Sequence, residues 1–152
     1  MHSVEELNAL DSTVETIIVN NNGCNDRSFT VLNLTRFVNL RVFEVGDYSF
    51  SYVNEVHMIG LPELERVVIG ENCFSQYKDA FDTYPSGEFY VKDCDKLREL
   101  RIGESSFINY VSCTIEDNAR LEVIAMGKLL RWWSYSFYFA SLEMKSCNNE
   151  TK

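Results

Sequence analysis

His2, His57 and five cysteines are the side chains of this chain best suited to act as nucleophiles, general bases or metal ligands. Such groups need a neighbour that orients them, and neither histidine falls near a motif that would supply one. The cysteines form no CxxC pair, so the usual spacing of a zinc site is missing, and an odd number cannot complete a disulfide framework. No GxSxG, HExxH or Walker loop occurs, and no GxGxxG stands between a strand and a helix. The 23 acidic residues leave a two-carboxylate glycosidase as the one catalytic chemistry to weigh. Against it, no column of the repeat described below is expected to set two acids side by side. Asp93 and Asp95, on either side of Cys94, read as turn formers. The residues therefore predict no catalytic group, no metal and no cofactor.

The remaining chemistry is that of recognition. A formal charge of -9 repels phosphate backbones and anionic headgroups, which argues against nucleic acid and against a membrane surface. No run approaches the roughly 18 apolar residues of a membrane-spanning helix, so membrane insertion is not expected, and the N-terminus lacks the layout of a signal peptide. With 45% hydrophobic and 13% aromatic residues, the chain has the material for a packed core.

The elements that position these side chains follow from an internal repeat. "LRVFEVGDYSF" from Leu40, "LERVVIGENCF" from Leu64 and "LRELRIGESSF" from Leu97 share the template LxxΦxΦGxxxF, with Φ apolar. A fourth copy starts at Leu121 and a degenerate first one at Val14. Leu40 to Leu64 and Leu97 to Leu121 are each 24 residues, while Leu64 to Leu97 is 33, which places a nine-residue insertion in the third coil. Each coil also carries a second apolar alternation, namely Leu32 with Leu34, Val56 with Met58, Phe89 with Val91, Cys113 with Ile115, and Leu142 with Met144. Period-two alternation predicts half-buried strands, two per coil. A lone coil cannot bury its own apolar edge, so the coils must stack.

These residues resemble the leucine-rich repeat family, whose pattern LxxLxLxxNxL is met by Leu64, Val67, Ile69, Asn72 and Phe74. "IGENCF", "IGESSF" and "VGDYSF" further resemble the BspA-like branch, found in bacterial and protist surface proteins. The resemblance runs from about Val14 to Cys147. It departs from the family at Tyr48 and Ser105, which replace the asparagine. The fifth coil is expected to lose its xxxF element to "KLLRWWSYSFYF". The predicted fold is mainly β: a right-handed, leucine-rich-repeat-like parallel β-solenoid of about five coils with a short N-terminal capping helix. It forms one domain over residues 1–152, with a helix at 3–11, repeats over 14–147 and an inserted loop at 78–87.

Stacked coils turn each template position into a column. Glu15, Arg41, Glu65, Arg98 and Glu122 alternate in sign, which favours one order of coils. The next outward columns are Thr16, Val42, Arg66, Glu99, Val123 and Ile18, Glu44, Val68, Arg101, Ala125. The resemblance implies that this face is the binding face. Ile18, Val42, Val68 and Val123 are apolar where water alone would favour polar residues, so a contiguous apolar patch with charged neighbours is expected there. Strand propensity is the competing reason for β-branched residues at such positions. The partner-binding candidates are Val42, Glu44, Arg66, Val68, Glu99, Arg101 and Val123, with Phe81 and Tyr84 of the inserted loop and Trp132 and Trp133 of the last coil.

Gly46, Gly70, Gly103 and Gly127 close each strand and are expected to supply positive φ or a tight corner. Phe50, Phe74 and Phe107 are expected to plug the core. Ser3 followed by Glu6 is a capping box ahead of Val4, Leu7 and Leu10. Cys94 and Cys147 take the place of Leu61 and Cys113 that of Val56, as small buried hydrophobes. Such cysteines favour a reducing compartment such as the cytoplasm, whereas the resemblance implies a cell surface. Asn33 and Asn149 each open an N-x-[ST] triplet, Asn33 inside a predicted strand.

The functional expectation is a non-catalytic module that binds a protein, or a glycan, through its outward strand face. The alternative is a structural spacer or self-associating segment of a larger surface or scaffold protein. Under either reading, Trp132, Trp133, Tyr135, Phe137, Tyr138 and Phe139 of the last coil are expected to form a lid, to serve as a contact between copies, or to meet further coils.

Overall fold

The computed structural model describes residues 1–75, 86–127, 136–137 and 140–145. Among these, a helix α1 (Val4–Asn8) leads into β1 (Thr16–Val19), β2 (Val31–Asn33), β3 (Val42–Val45), β4 (Glu55–Ile59) and β5 (Arg66–Ile69). There follow β6 (Gly87–Lys92), β7 (Glu99–Ile102), β8 (Tyr110–Glu116), β9 (Val123–Met126) and β10 (Ser141–Lys145). Odd strands form one five-stranded sheet in the order β1-β3-β5-β7-β9, and even strands form a second in the order β2-β4-β6-β8-β10. Every pairing is parallel. The molecule is thus a β-solenoid of five rungs and about four turns, with a small N-terminal helix.

The alternation in sequence becomes the division between core and surface. Phe43, Val45, Val67, Ile69, Leu100 and Ile102 point inward from the first sheet, and Leu32, Val56, Met58, Phe89, Val91 and Cys113 from the second. Burying side chains of this size contributes roughly 1.5 to 3 kcal/mol each. Phe50, Phe74 and Phe107 fill one corner of the core, all fully buried. Because rungs are separated by about 4.8 Å, their rings stack: Phe74 and Phe107 lie 4.6 Å apart with planes 5° apart. Cys94 and Cys113 are buried in the columns of Leu61 and Val56, as their spacing implied.

Several expectations change. The fifth rung keeps the corner element: Phe137 stacks on Phe107 at 4.7 Å, its N–H donates to the Ser106 carbonyl, and it shares the positive φ of the other corner phenylalanines. The segment from Gly127 to Phe137 is six residues longer than that from Gly103 to Phe107, which hid the match. The helix is also shorter than 3–11. Ser3 caps it by accepting from the Glu6 N–H, but the Asp11 carboxylate captures both the N–H and the hydroxyl of Thr13, which commits the chain to a turn. Gly87 belongs to β6 rather than to a loop, and the Tyr110 ring lies where a Cβ would stand, 2.6 Å away. Residues 78–85 of the expected insertion lie outside the described residues.

Of the two roles expected of the strand-end glycines, a tight corner fits Gly46, Gly70 and Gly103, and positive φ fits Gly127. Only Gly127 of the four has positive φ. At the corner it is Tyr48, Asn72 and Ser105, then Phe50, Phe74 and Phe107, that adopt the left-handed conformation. Gly103 is needed because a Cβ there would stand 2.5 Å from the Gly70 backbone, and Gly46 and Gly70 face the preceding coil in the same way. Close approach of coils, rather than backbone freedom, is the reason for Gly46, Gly70 and Gly103.

That close approach is held by a ladder of hydroxyls and one thiol. Ser49 donates to the Asn20 carbonyl at 2.9 Å, Cys73 Sγ to that of Gly46 at 3.1 Å, Ser106 to that of Gly70 at 2.8 Å and Ser136 to that of Gly103 at 2.8 Å. The same oxygens accept backbone N–H groups, Gly23 to Ser49 and Cys73 to Ser106. Buried backbone groups at the corner are thereby satisfied. On the other side of the coil, Asn118 does similar work, accepting from the Cys94 N–H and donating to the Val91 carbonyl.

Candidate functional site

The outward face of the first sheet carries the expected columns in the expected register. Thr16, Val42, Arg66, Glu99 and Val123 run down one line, and Ile18, Glu44, Val68, Arg101 and Ala125 down the next. Strand alternation forces this, since their neighbours point into the core. Seven of the candidates, Val42, Glu44, Arg66, Val68, Glu99, Arg101 and Val123, therefore share one surface. Phe81, Tyr84, Trp132 and Trp133 lie outside the described residues.

The apolar residues do not form one patch over all five rungs. Ile18, Val42 and Val68 zigzag between the two columns on three successive rungs, while Glu99 and Arg101 separate them from Val123. Ile18 is 50% exposed and Val123 37%; Val42 and Val68 are half-buried.

Charge on this face is internally paired. Arg66 bonds Glu44 at 2.6 Å and Glu99 at 3.0 Å, and Glu99 also pairs with Arg101. Arg101, with Arg66, holds the Glu99 carboxyl below its ordinary range. In the flanking column Arg41 meets Glu65 at 2.8 Å and Glu15 at 4.0 Å, as the alternating signs implied. Beside this mesh lies a shallow depression of about 550 Å³, whose lining includes Ile18, Glu44, Gly46, Val68, His2 and Asn21. The arrangement offers apolar side chains between mutually neutralised charges.

The second sheet holds a group that sequence reasoning missed. Glu55 and Glu88 occupy adjacent positions of one column, so two acids do stand side by side, contrary to expectation. His57 stacks on Tyr90 at 5.3 Å in the next column. Tyr90 donates to Glu88 at 2.7 Å, which pushes its own hydroxyl pKa up, and His57 lies 3.3 Å from Glu55. Pairing Val56 with Phe89, as the repeat required, already implied this register; the nine-residue insertion obscured it. Each carboxylate is engaged by the aromatic side chain of its own rung. Among the described residues no group of three or more His, Cys, Asp or Glu side chains could hold a metal.

Buried thiols supply no reactive centre here. Burial pushes Cys24, Cys73 and Cys94 up to about 11 and Cys113 to about 12, so all four stay protonated at neutral pH. Asn33 accepts both the N–H and hydroxyl of Thr35, which gives that N-x-[ST] triplet a turn-forming role. No helix among the described residues is long and apolar enough to cross a membrane. No family model, no curated protein and no solved structure matches the chain.

Proposed function

We propose that this chain is a non-catalytic recognition module, binding a protein partner through the outward face of the β1-β3-β5-β7-β9 sheet. The observation that carries the reading is the cluster of Ile18, Val42 and Val68, two of which line a depression, on a sheet whose charges already neutralise one another. Exposed β-branched residues contribute affinity when a partner covers them, and paired charges at the edge add selectivity without an unpaired ion being buried. The resemblance of "LERVVIGENCF" to leucine-rich repeats of the BspA-like type supports the same face.

A pull-down with wild type against the double variant Val68→Asp with Arg101→Glu tests it. The variant stacks two new acids on Glu44 and removes one partner of Glu99, so circular dichroism must first show that its solenoid is intact. Loss of a captured partner in the variant supports the reading. Equal capture by both proteins sends the site elsewhere, and no partner at all favours a spacer role.

A further inference from the structure

The two ends of the solenoid are finished differently. At the first, the backbone of Met1 and His2 lies along the β1 side: Asn20 N–H donates to the Met1 carbonyl at 2.9 Å and Cys24 N–H to that of His2 at 2.8 Å. Val4 and Leu7 of α1 are buried in the core there. At the other end β10 is the edge of its sheet, and among the described residues no strand pairs with its outer side. Leu142 and Met144 continue the columns of Cys113 and Ile115, which are buried, yet they are 54% and 55% exposed. Core positions have thus come to the surface along one strand edge.

The geometry points to a second copy of this chain as the occupant of that edge, the two β10 strands pairing antiparallel about a twofold axis with Met144 opposite its own copy. The backbone permits it. The Lys145 carbonyl accepts from the Asp117 N–H on β8, so Ser141, Glu143 and Lys145 turn their backbone groups toward β8. By alternation, those of Leu142 and Met144 point outward, and Met144 can exchange both hydrogen bonds with its copy.

Charge selects this register. An axis perpendicular to the sheet keeps both interiors on one side only if it passes through a residue. Centred on Met144, it sets Glu143 against Lys145 of the partner subunit, and Lys145 against Glu143 of the partner subunit, at the positions where cross-strand side chains are closest. Centred on Glu143 it would oppose two carboxylates, and centred on Leu142 it leaves both charges without an opposite. Glu143 and Lys145 already pair within their own strand at 2.5 Å, so the dimer closes a four-charge cluster. A twofold contact uses the same edge on both copies, so it closes as a dimer instead of growing into an array.

Light scattering during size-exclusion chromatography should show wild type becoming dimeric as concentration rises. Glu143→Lys alone and Lys145→Glu alone each oppose like charges at two positions and should weaken the dimer about tenfold or more. An equimolar mixture of the two variants restores opposite charges throughout and should dimerise again. Glu5→Lys, on the exposed side of α1, should change nothing. A wild type that stays monomeric at high micromolar concentration overturns the proposal. So does a dimer indifferent to both single changes, or a mixture no more dimeric than its components. All three side chains are exposed, and circular dichroism of each variant verifies that the solenoid is intact.

Discussion

The hydroxyl of Ser106 donates to the carbonyl of Gly70, 2.8 Å away in the preceding coil, and accepts the N–H of Cys73 from that same coil at 3.0 Å. One buried oxygen therefore satisfies two backbone groups that strand pairing leaves over. Ser106→Ala should cost about 1 to 3 kcal/mol, since both groups stay buried without a partner. Ser106→Cys should cost less, because Cys73 fills the equivalent place one rung earlier with a thiol 3.1 Å from the Gly46 carbonyl. Urea unfolding of the two variants tests the order; equal losses would mean that volume, not hydrogen bonding, matters at this position.

Phe107 sits between Phe74 and Phe137, with Phe89 and Tyr110 against its edges. Phe107→Ala should lower stability by about 3 to 5 kcal/mol, the sum of lost transfer energy and an unfilled cavity. A melting midpoint unchanged from wild type would show that the ring is not in the core.

Gly103→Ala should be costly although the backbone there is not in the left-handed region. Its Cβ would meet the Gly70 carbonyl carbon and oxygen at 2.5 Å, so two coils must move apart. Overpacking of this kind costs about 1 to 3 kcal/mol or more. A thermal melt within a degree of wild type would argue that the coils separate freely at this corner.

The thiols should make the fold sensitive to alkali. Burial pushes the Cys73 and Cys94 thiols up to about 11 and the Cys113 thiol up to about 12, above the ordinary thiol value near 9. A raised folded pKa contributes stability that is fully present below the unfolded value and is lost as pH rises toward the folded one. Unfolding free energy should accordingly fall from about pH 9 upward. At pH 8 these thiols should resist alkylation in the native state and react after denaturant is added. Rapid native labelling, followed by mass spectrometry of the modified peptides, would contradict the burial.

Of the candidate surface, the strand residues were legible beforehand and the loop residues lie outside the description. Val42, Arg66 and Glu99 could be placed in one column because the template repeats with their spacing. The pairing of Arg66 with both Glu44 and Glu99 could not, since side-chain reach across columns depends on the twist and separation of neighbouring rungs. The Glu55 and Glu88 column was present in the repeat but masked by unequal coil lengths.

What the amino-acid order alone determined is the in-and-out pattern of each strand, the sequence of rungs and the columns they generate. Side-chain alternation has a period of two, and a one-residue slip would expose every core residue, so those features follow from local pattern. The tertiary structure decided where the corner bends, why glycine ends the strands, that serine and cysteine bridge the coils, and that Ser136 and Phe137 complete the fifth rung. Each of these depends on how close one coil comes to the next, a distance that exists only once the coils are stacked.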